Sequence, residues 1–223
     1  MRKTPFGALA VGCMLALTGL AHGQTSTERI HGDVVALHGR NLELKVGAQA
    51  QVVAVHLADT VRVSGRSAAD LGEIKPGSFV GTTAIPQPDG TLSAVEVHIF
   101  PESMRGTGEG YRPMDAKRGS TMTNATVTSV AAAGGALPRN TMTNATVASV
   151  AAGGAGRRIT LKYNGGQKTV MVRPSVPVVM IEPGDLSMLV PGAHVLVTAT
   201  KQSDGALTAY RISVGMNGLV PPI

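Results

Sequence analysis

An internal repeat constrains this chain more than any other feature. The stretch PGSFVGTTAIPQPDGTLSAVEVHI, from Pro76, aligns without gaps with PGAHVLVTATKQSDGALTAYRISV, from Pro191. The spacing is 115 residues throughout, so Val80 falls on Val195, Ala84 on Ala199, Asp89-Gly90 on Asp204-Gly205 and Leu92 on Leu207. Looser similarity upstream extends each copy to a unit of roughly 70 residues. Whatever fold the chain takes, it must build this unit twice.

Each copy alternates with period two. In the first, Leu42, Leu44 and Val46 alternate with Glu43 and Lys45, Val53, Val55 and Leu57 with Ala54 and His56, and Val95, Val97 and Ile99 with Glu96 and His98. The second repeats the pattern at Ile159, Leu161 and Tyr163, at Val170 and Val172, and at Tyr210, Ile212 and Val214. Such alternation predicts strands with one buried and one wet face, which puts His56 and His98 in water. Turn chemistry separates the runs at His38-Gly39-Arg40-Asn41, Pro88-Asp89-Gly90 and Ser203-Asp204-Gly205. Between the third run and the Pro-Gly turn, Ser67 to Leu71 reads as one helical turn capped by Ser67. Three strands, a short helix and two strands is the order of an OB-type barrel. The expected fold is therefore all-β: two tandem OB-like small barrels of five to six strands, joined by an irregular connector. A sandwich is the alternative. Closure suits units this small, which bury only about 60% of their surface and cannot leave edges open.

The connector FPESMRGTGEGYRPMDAKRGS, from Phe100, is rich in Gly, Pro and charge. Its Gly106-x-Gly108-x-Gly110 is no dinucleotide fingerprint, because no strand-turn-helix pattern surrounds it. A second duplication follows. TMTNATVTSVAA from Thr121 and TMTNATVASVAA from Thr141 agree at eleven of twelve positions, twenty residues apart. The copy at Thr141 leads through glycines into the next strand and is expected to open the second barrel, leaving the copy at Thr121 as a surplus insertion. The expected division is a signal peptide over 1–23, a first barrel over 24–100, a connector over 101–140 and a second barrel over 141–223.

The start of the chain reads as an export signal. Arg2 and Lys3 precede an apolar run from about Phe6 to Ala21, and Ala21-His22-Gly23 offers small residues for cleavage. The run is short against the roughly 20 apolar residues a membrane helix needs, and no later stretch approaches that length. Cys13 is the sole cysteine, so after cleavage no disulfide or thiol chemistry is expected. The formal charge is +6, and removing Arg2 and Lys3 leaves +4. From Pro101 to Ile159 there are seven Lys and Arg against three Asp and Glu, so the positive excess is central. Such a stretch can attract polyanions, and the alternative is a solvated, flexible connector.

The segments RIHGDVVALHGRNLELKV, FPESMRGTGEGYRP, STMTNATV and GLVPP resemble an exported bacterial family built from tandem small β-barrel domains of unknown function. In that family, the positions of Tyr111 and Met114 more often hold His and Trp. The resemblance implies a periplasmic small-barrel protein and brings no catalytic residues.

Function is then bounded mostly by exclusion. Nucleic-acid binding on a barrel needs stacking aromatics in a basic groove, and beyond the signal only Phe79, Phe100, Tyr111, Tyr163 and Tyr210 remain. Hydrolysis needs a nucleophile set against a base, and no motif ties Ser, His and Asp together, so no enzyme and no cofactor are expected. Metal binding could draw on His31, His38, His56, His98 and His194, or on Met104, Met114, Met122 and Met142, yet none stand at ligand spacing, so no metal ligands are assigned. The leading reading is a periplasmic or secreted binding or accessory module without a transmembrane segment. Its partner would be an anionic envelope component or another envelope protein, met through Arg105, Glu109, Tyr111 and Arg112. Metal handling and a purely structural role are the alternatives.

Overall fold

The computed structural model describes residues 26–114, 117–133 and 156–223. The expected signal peptide and the copy at Thr141 lie outside the described residues. The first half holds β1 (Ser26–His38), β2 (Asn41–Val46), β3 (Gln51–Ala68), β4 (Phe79–Pro86), β5 (Leu92–Ile99) and β6 (Gly110–Pro113). The second holds β7 (Thr121–Ala132), β8 (Arg157–Tyr163), β9 (Gly166–Val172), β10 (Val178–Gly184), β11 (His194–Lys201) and β12 (Leu207–Gly215). Three single turns of 3-10 helix, at Leu71–Glu73, Glu102–Met104 and Leu186–Met188, complete the elements. The protein is all-β, as the alternation predicts.

Pairing closes a five-stranded barrel. β1 pairs with β2, β2 with β3, β3 with β12, β12 with β11, and β11 returns to β1. The additional strands make a second circuit: β7 with β8, β8 with β9, β9 with β5, β5 with β4, and β4 back to β7. Each circuit thus takes three strands from one copy and two from the other. Neither circuit is confined to 24–100 or to 141–223. The apolar residues confirm the exchange. Val34, Leu42, Leu44, Val55 and Leu57 pack with Val195, Val197, Ile212 and Val214 in one core. Val80, Leu92, Val97 and Ile99 pack with Val127, Ile159, Leu161 and Val170 in the other.

The cause lies in β3. It does not turn back after Leu57 but continues for 18 residues, roughly 60 Å at about 3.3 Å per residue. That length carries the chain to the other circuit before β4 begins. In the second copy the corresponding run is split into β9 and β10 by Pro174 and Pro177, which cannot donate to a ladder. β3 and β10 then pair antiparallel, with Arg66 opposite Ile181, Ala68 opposite Val179 and Ser64 opposite Pro183. Ile181 is the counterpart of Arg66 at the 115-residue spacing (66 + 115 = 181), and the flanking pairs exchange under the same shift. A pseudo-two-fold axis therefore passes between Arg66 and Ile181, as in an isologous dimer interface.

Two local expectations change. Ser67 does not cap a helix, because β3 runs on to Ala68 and the Ser67 hydroxyl donates to Glu182 Oε1 at 2.7 Å. The turn starts instead at Leu71, with the Asp70 amide donating to Glu73 Oε1 at 2.7 Å. More consequentially, Thr121–Ala132 is not surplus. It is β7, a strand between β4 and β8, with Ala125 and Val127 in the core. Its bulge at Val127/Ser129 matches the β1 bulge at Val34/Ala36, so β7 is the second copy's first strand. The β1–β2 hairpin turns through Gly39-Arg40, with Gly39 at φ +60°, whereas 133–156 joins β7 to β8. The twenty additional residues belong to that connection rather than to the segment before β7.

Candidate functional site

The connector is built onto the sheet rather than hanging from it. β6 pairs with β7, Gly110 opposite Asn124 and Arg112 opposite Met122. Arg105 caps the turn at Glu102–Met104: its Nε and Nη2 donate to the Glu102 carboxylate at 2.5 and 2.7 Å, and Nη2 also reaches Gly77 O at 2.9 Å. This hydrogen bonding holds the Glu102 carboxyl below its ordinary range and the Arg105 guanidinium above its own. The exposed Arg105 charge is thus engaged largely by Glu102 at the surface. Glu109 Oε1 accepts from the Asn164 amide at 2.8 Å, which ties the connector to the β8–β9 turn.

Of the four residues expected to make contact, Glu109 and Tyr111 meet the same hairpin. Lys168 Nζ stands 4.6 Å from the centroid of the exposed Tyr111 ring, within cation–π range. Beside them an open depression of about 650 Å³ is lined by Glu109, Thr126, Lys162, Tyr163, Asn164 and Gln167. Arg105 touches its rim through Thr126, 3.4 Å from Nη1. Arg112 follows Tyr111 on β6 and by alternation faces the other way, with Nη1 donating to Gly108 O at 2.7 Å. The four do not form one constellation.

That other face leads to a cluster missed by sequence reasoning. Across β6, β7, β4 and β5, the pairings put Arg112, Met122, Thr83 and Glu96 on one rung. Glu96 and His98 are not wet, as the alternation suggested, but are 0% and 5% exposed. Alternation assigns them to the outer face of their circuit, and the first circuit covers that face. Arg66, 7% exposed, enters from β3. Its Nη1 lies 3.2 Å from Glu96 Oε1 and 2.7 Å from His98 Nε2, while His98 Nε2 lies 2.5 Å from Glu96 Oε1. Burial pushes the His98 pKa down, Arg66 adds to the push, and Glu96 opposes it. A neutral imidazole therefore sits beside a charge-balanced Arg66–Glu96 pair. Arg66 Nε and Glu96 Oε2 have no partner among the described residues. The cluster lies on the seam beside the pseudo-two-fold axis. Such a pair adds little net stability but strongly penalises wrong packing. The 115-residue comparison carries its signal: Arg66, Glu96 and His98 stand where the second copy has Ile181, Arg211 and Ser213.

The remaining histidines are scattered. His56 Nδ1 is 3.1 Å from Asn41 Oδ1, and His194 Nδ1 is 2.6 Å from Asp33 Oδ1. Among the described residues no three His, Cys, Asp or Glu side chains converge as metal ligands, and no helix is long and apolar enough to cross a membrane.

Residues 178–213 match a protein-family model described as a domain of unknown function, DUF5666. The match spans β10, β11 and β12, the seam strand and the two strands given to the first circuit. No curated protein and no solved structure matches the chain.

Proposed function

We propose that this protein is an exported, non-enzymatic binding module of the cell envelope whose two strand circuits are OB-like barrels, and that it holds an anionic partner beside the connector. The observation that carries this reading is Lys168 over Tyr111, beside the open depression. An exposed aromatic, a cation held over it and the neighbouring Lys162 and Gln167 suit a carboxylated polymer better than a small enclosed substrate. The contacts are surface charges, so the interaction is salt-sensitive: the Debye length shrinks from about 10 Å at 0.1 M to about 3 Å at 1 M. Titration with polygalacturonate at low salt tests it. Binding is expected to weaken at least about tenfold in Lys162→Gln/Lys168→Gln, as two lost charge-assisted contacts imply. Equal binding by that variant, or no binding at low salt, would sink the reading. Fractionation tests the export half, with a species lacking residues 1–23 expected in the periplasm.

A further inference from the structure

The first circuit carries a rung equivalent to Met122–Thr83–Glu96, and its composition differs. Arg29 on β1 pairs with Thr198 on β11, Thr198 with Arg211 on β12, and Arg211 with Arg62 on β3. The next rung, Ile30, Val197, Ile212 and Val63, points into the core. Arg29, Arg211 and Arg62 therefore share the outer face. Arg62 and Arg211 are exposed and Arg29 is half-buried. Arg112 approaches the same place from β6. The Arg211 guanidinium is held below its ordinary range, first by burial and then by repulsion from Arg62, Arg112 and Arg29, with Tyr210 opposing.

Five Lys and Arg side chains elsewhere sit in ion pairs, whereas Lys75, Arg157, Arg158, Lys162, Lys168 and Arg173 are in none among the described residues. Arg40 meets Asp59, Lys45 meets Asp33, Lys201 meets Glu28, Arg105 meets Glu102 and Arg66 meets Glu96. None of the ion pairs among the described residues includes Arg29, Arg62, Arg112 or Arg211. Four like charges gathered with no carboxylate nearby among the described residues beyond Glu96, which Arg66 already engages, cost stability, and an external anion would relieve that cost.

We propose that the Arg29–Arg211–Arg62 row, flanked by Arg112, is a binding site for a polymer bearing repeated phosphate or sulfate groups. Arg211 and Arg62 are on adjacent strands, about 4.8 Å apart, and their guanidinium forks can share one oxyanion. The row spans three strand intervals, about 14 Å, which is more than one tetrahedral anion fills. Thr198, between Arg29 and Arg211, adds a hydroxyl donor. This site uses strands of the first circuit and stands apart from the Lys162–Lys168 depression, so each can fail without the other.

Calorimetric titration of the full mature chain at low salt, with inorganic phosphate and with polyphosphate as probes, tests the site. Polyphosphate binding is expected to fall about a hundredfold in Arg62→Gln/Arg211→Gln, two charge-assisted contacts at about tenfold each. It should hold in Lys162→Gln/Lys168→Gln and in Lys75→Gln. The ligand-free Tm of Arg62→Gln/Arg211→Gln is expected to rise, since repulsion is removed; a surface cation without a binding role among unpaired neighbours gives no such pairing of gain and loss. Wild-type affinity in that variant, loss confined to the lysine variant, no binding at low salt, or phosphate binding as tightly as polyphosphate would each overturn the proposal.

Discussion

The two strand circuits share a framework and differ at their outer faces. Core positions keep their character at the 115-residue spacing, with Val80 and Val195, Val97 and Ile212, and Ile99 and Val214 all buried. The outer faces diverge: one has Arg66, Glu96 and His98 where the other has Ile181, Arg211 and Ser213. In a symmetric interface, residues near the axis meet their own counterparts, so identical charges would oppose one another. Divergence after duplication removes that conflict on the seam, with Arg66 set against Glu96 rather than against a second arginine. The buried carboxylate lies on one circuit, and Arg29, Arg62 and Arg211, in no ion pair among the described residues, lie on the other.

The comparison breaks most severely at the core. Val127→Asp places an unpaired charge at a position 1% exposed, and is expected to cost several kcal/mol, on the order of 4 kcal/mol. Val147→Asp is expected to cost less than half as much, because residues 121–132 already fill the place between β4 and β8. Chemical denaturation of both variants checks this, and equal losses would mean that both copies are needed.

At the seam, Glu96→Leu leaves the Arg66 charge buried without its carboxylate and should cost about 3 kcal/mol. Arg66→Leu/Glu96→Leu removes both charges and should cost clearly less than Glu96→Leu alone, a sign that additive effects would contradict.

Acid sharpens the same asymmetry more gently. The folded pKa of His98 is lowered, so below the ordinary value of about 6.5 the unfolded chain binds the proton more readily than the native one. Stability should therefore fall as pH drops from about 6.5 towards the depressed folded value, and rise again with pH. His98→Ser, which copies Ser213, should flatten that part of the profile in urea melts between pH 7 and 5. An unchanged slope would show that His98 does not titrate there.

The smallest effect is expected from shortening the β7–β8 connection. Deleting residues 133–152 removes twenty residues, and loop closure changes by only about 0.6 kcal/mol per doubling of length. Deleting 121–140 instead yields nearly the same polypeptide, since the duplicated segments differ only at Thr128 and Ala148. This is why the duplication misled: local sequence fits either copy to the slot, and the bulge at Val127/Ser129 together with pairing to β4 decides.

The strands, their order and the buried apolar set were legible because alternation and turn chemistry are local. Leu42, Leu44, Val55 and Leu57 all lie inside as the pattern indicates. Partner choice was not legible. The two copies present the same face in the same register, so β1 would pair equally well with β4 or with β11; the difference arises from the unbroken run of β3, a long-range consequence of residues that look ordinary locally. Glu96 and His98 were misread for a related reason: alternation gives the face of a strand but not what covers it. At the connector, sequence located Glu109 and Tyr111, whereas Lys168, 57 residues further on, became visible only once the β8–β9 hairpin was placed beside the connector.

The exchange of strands between copies is the central claim, and a disulfide tests it directly. In the exchanged fold Thr27 on β1 pairs with Thr200 on β11; in a tandem fold its partner would be Ile85, the counterpart of Thr200 at the 115-residue spacing. In protein lacking residues 1–23, and so lacking Cys13, Thr27→Cys/Thr200→Cys should oxidise to an intramolecular bond in the monomer, because paired strands hold Cα atoms about 4.5–5.5 Å apart. Thr27→Cys/Ile85→Cys should remain reduced. Ready closure of the second pair and not the first would contradict the account.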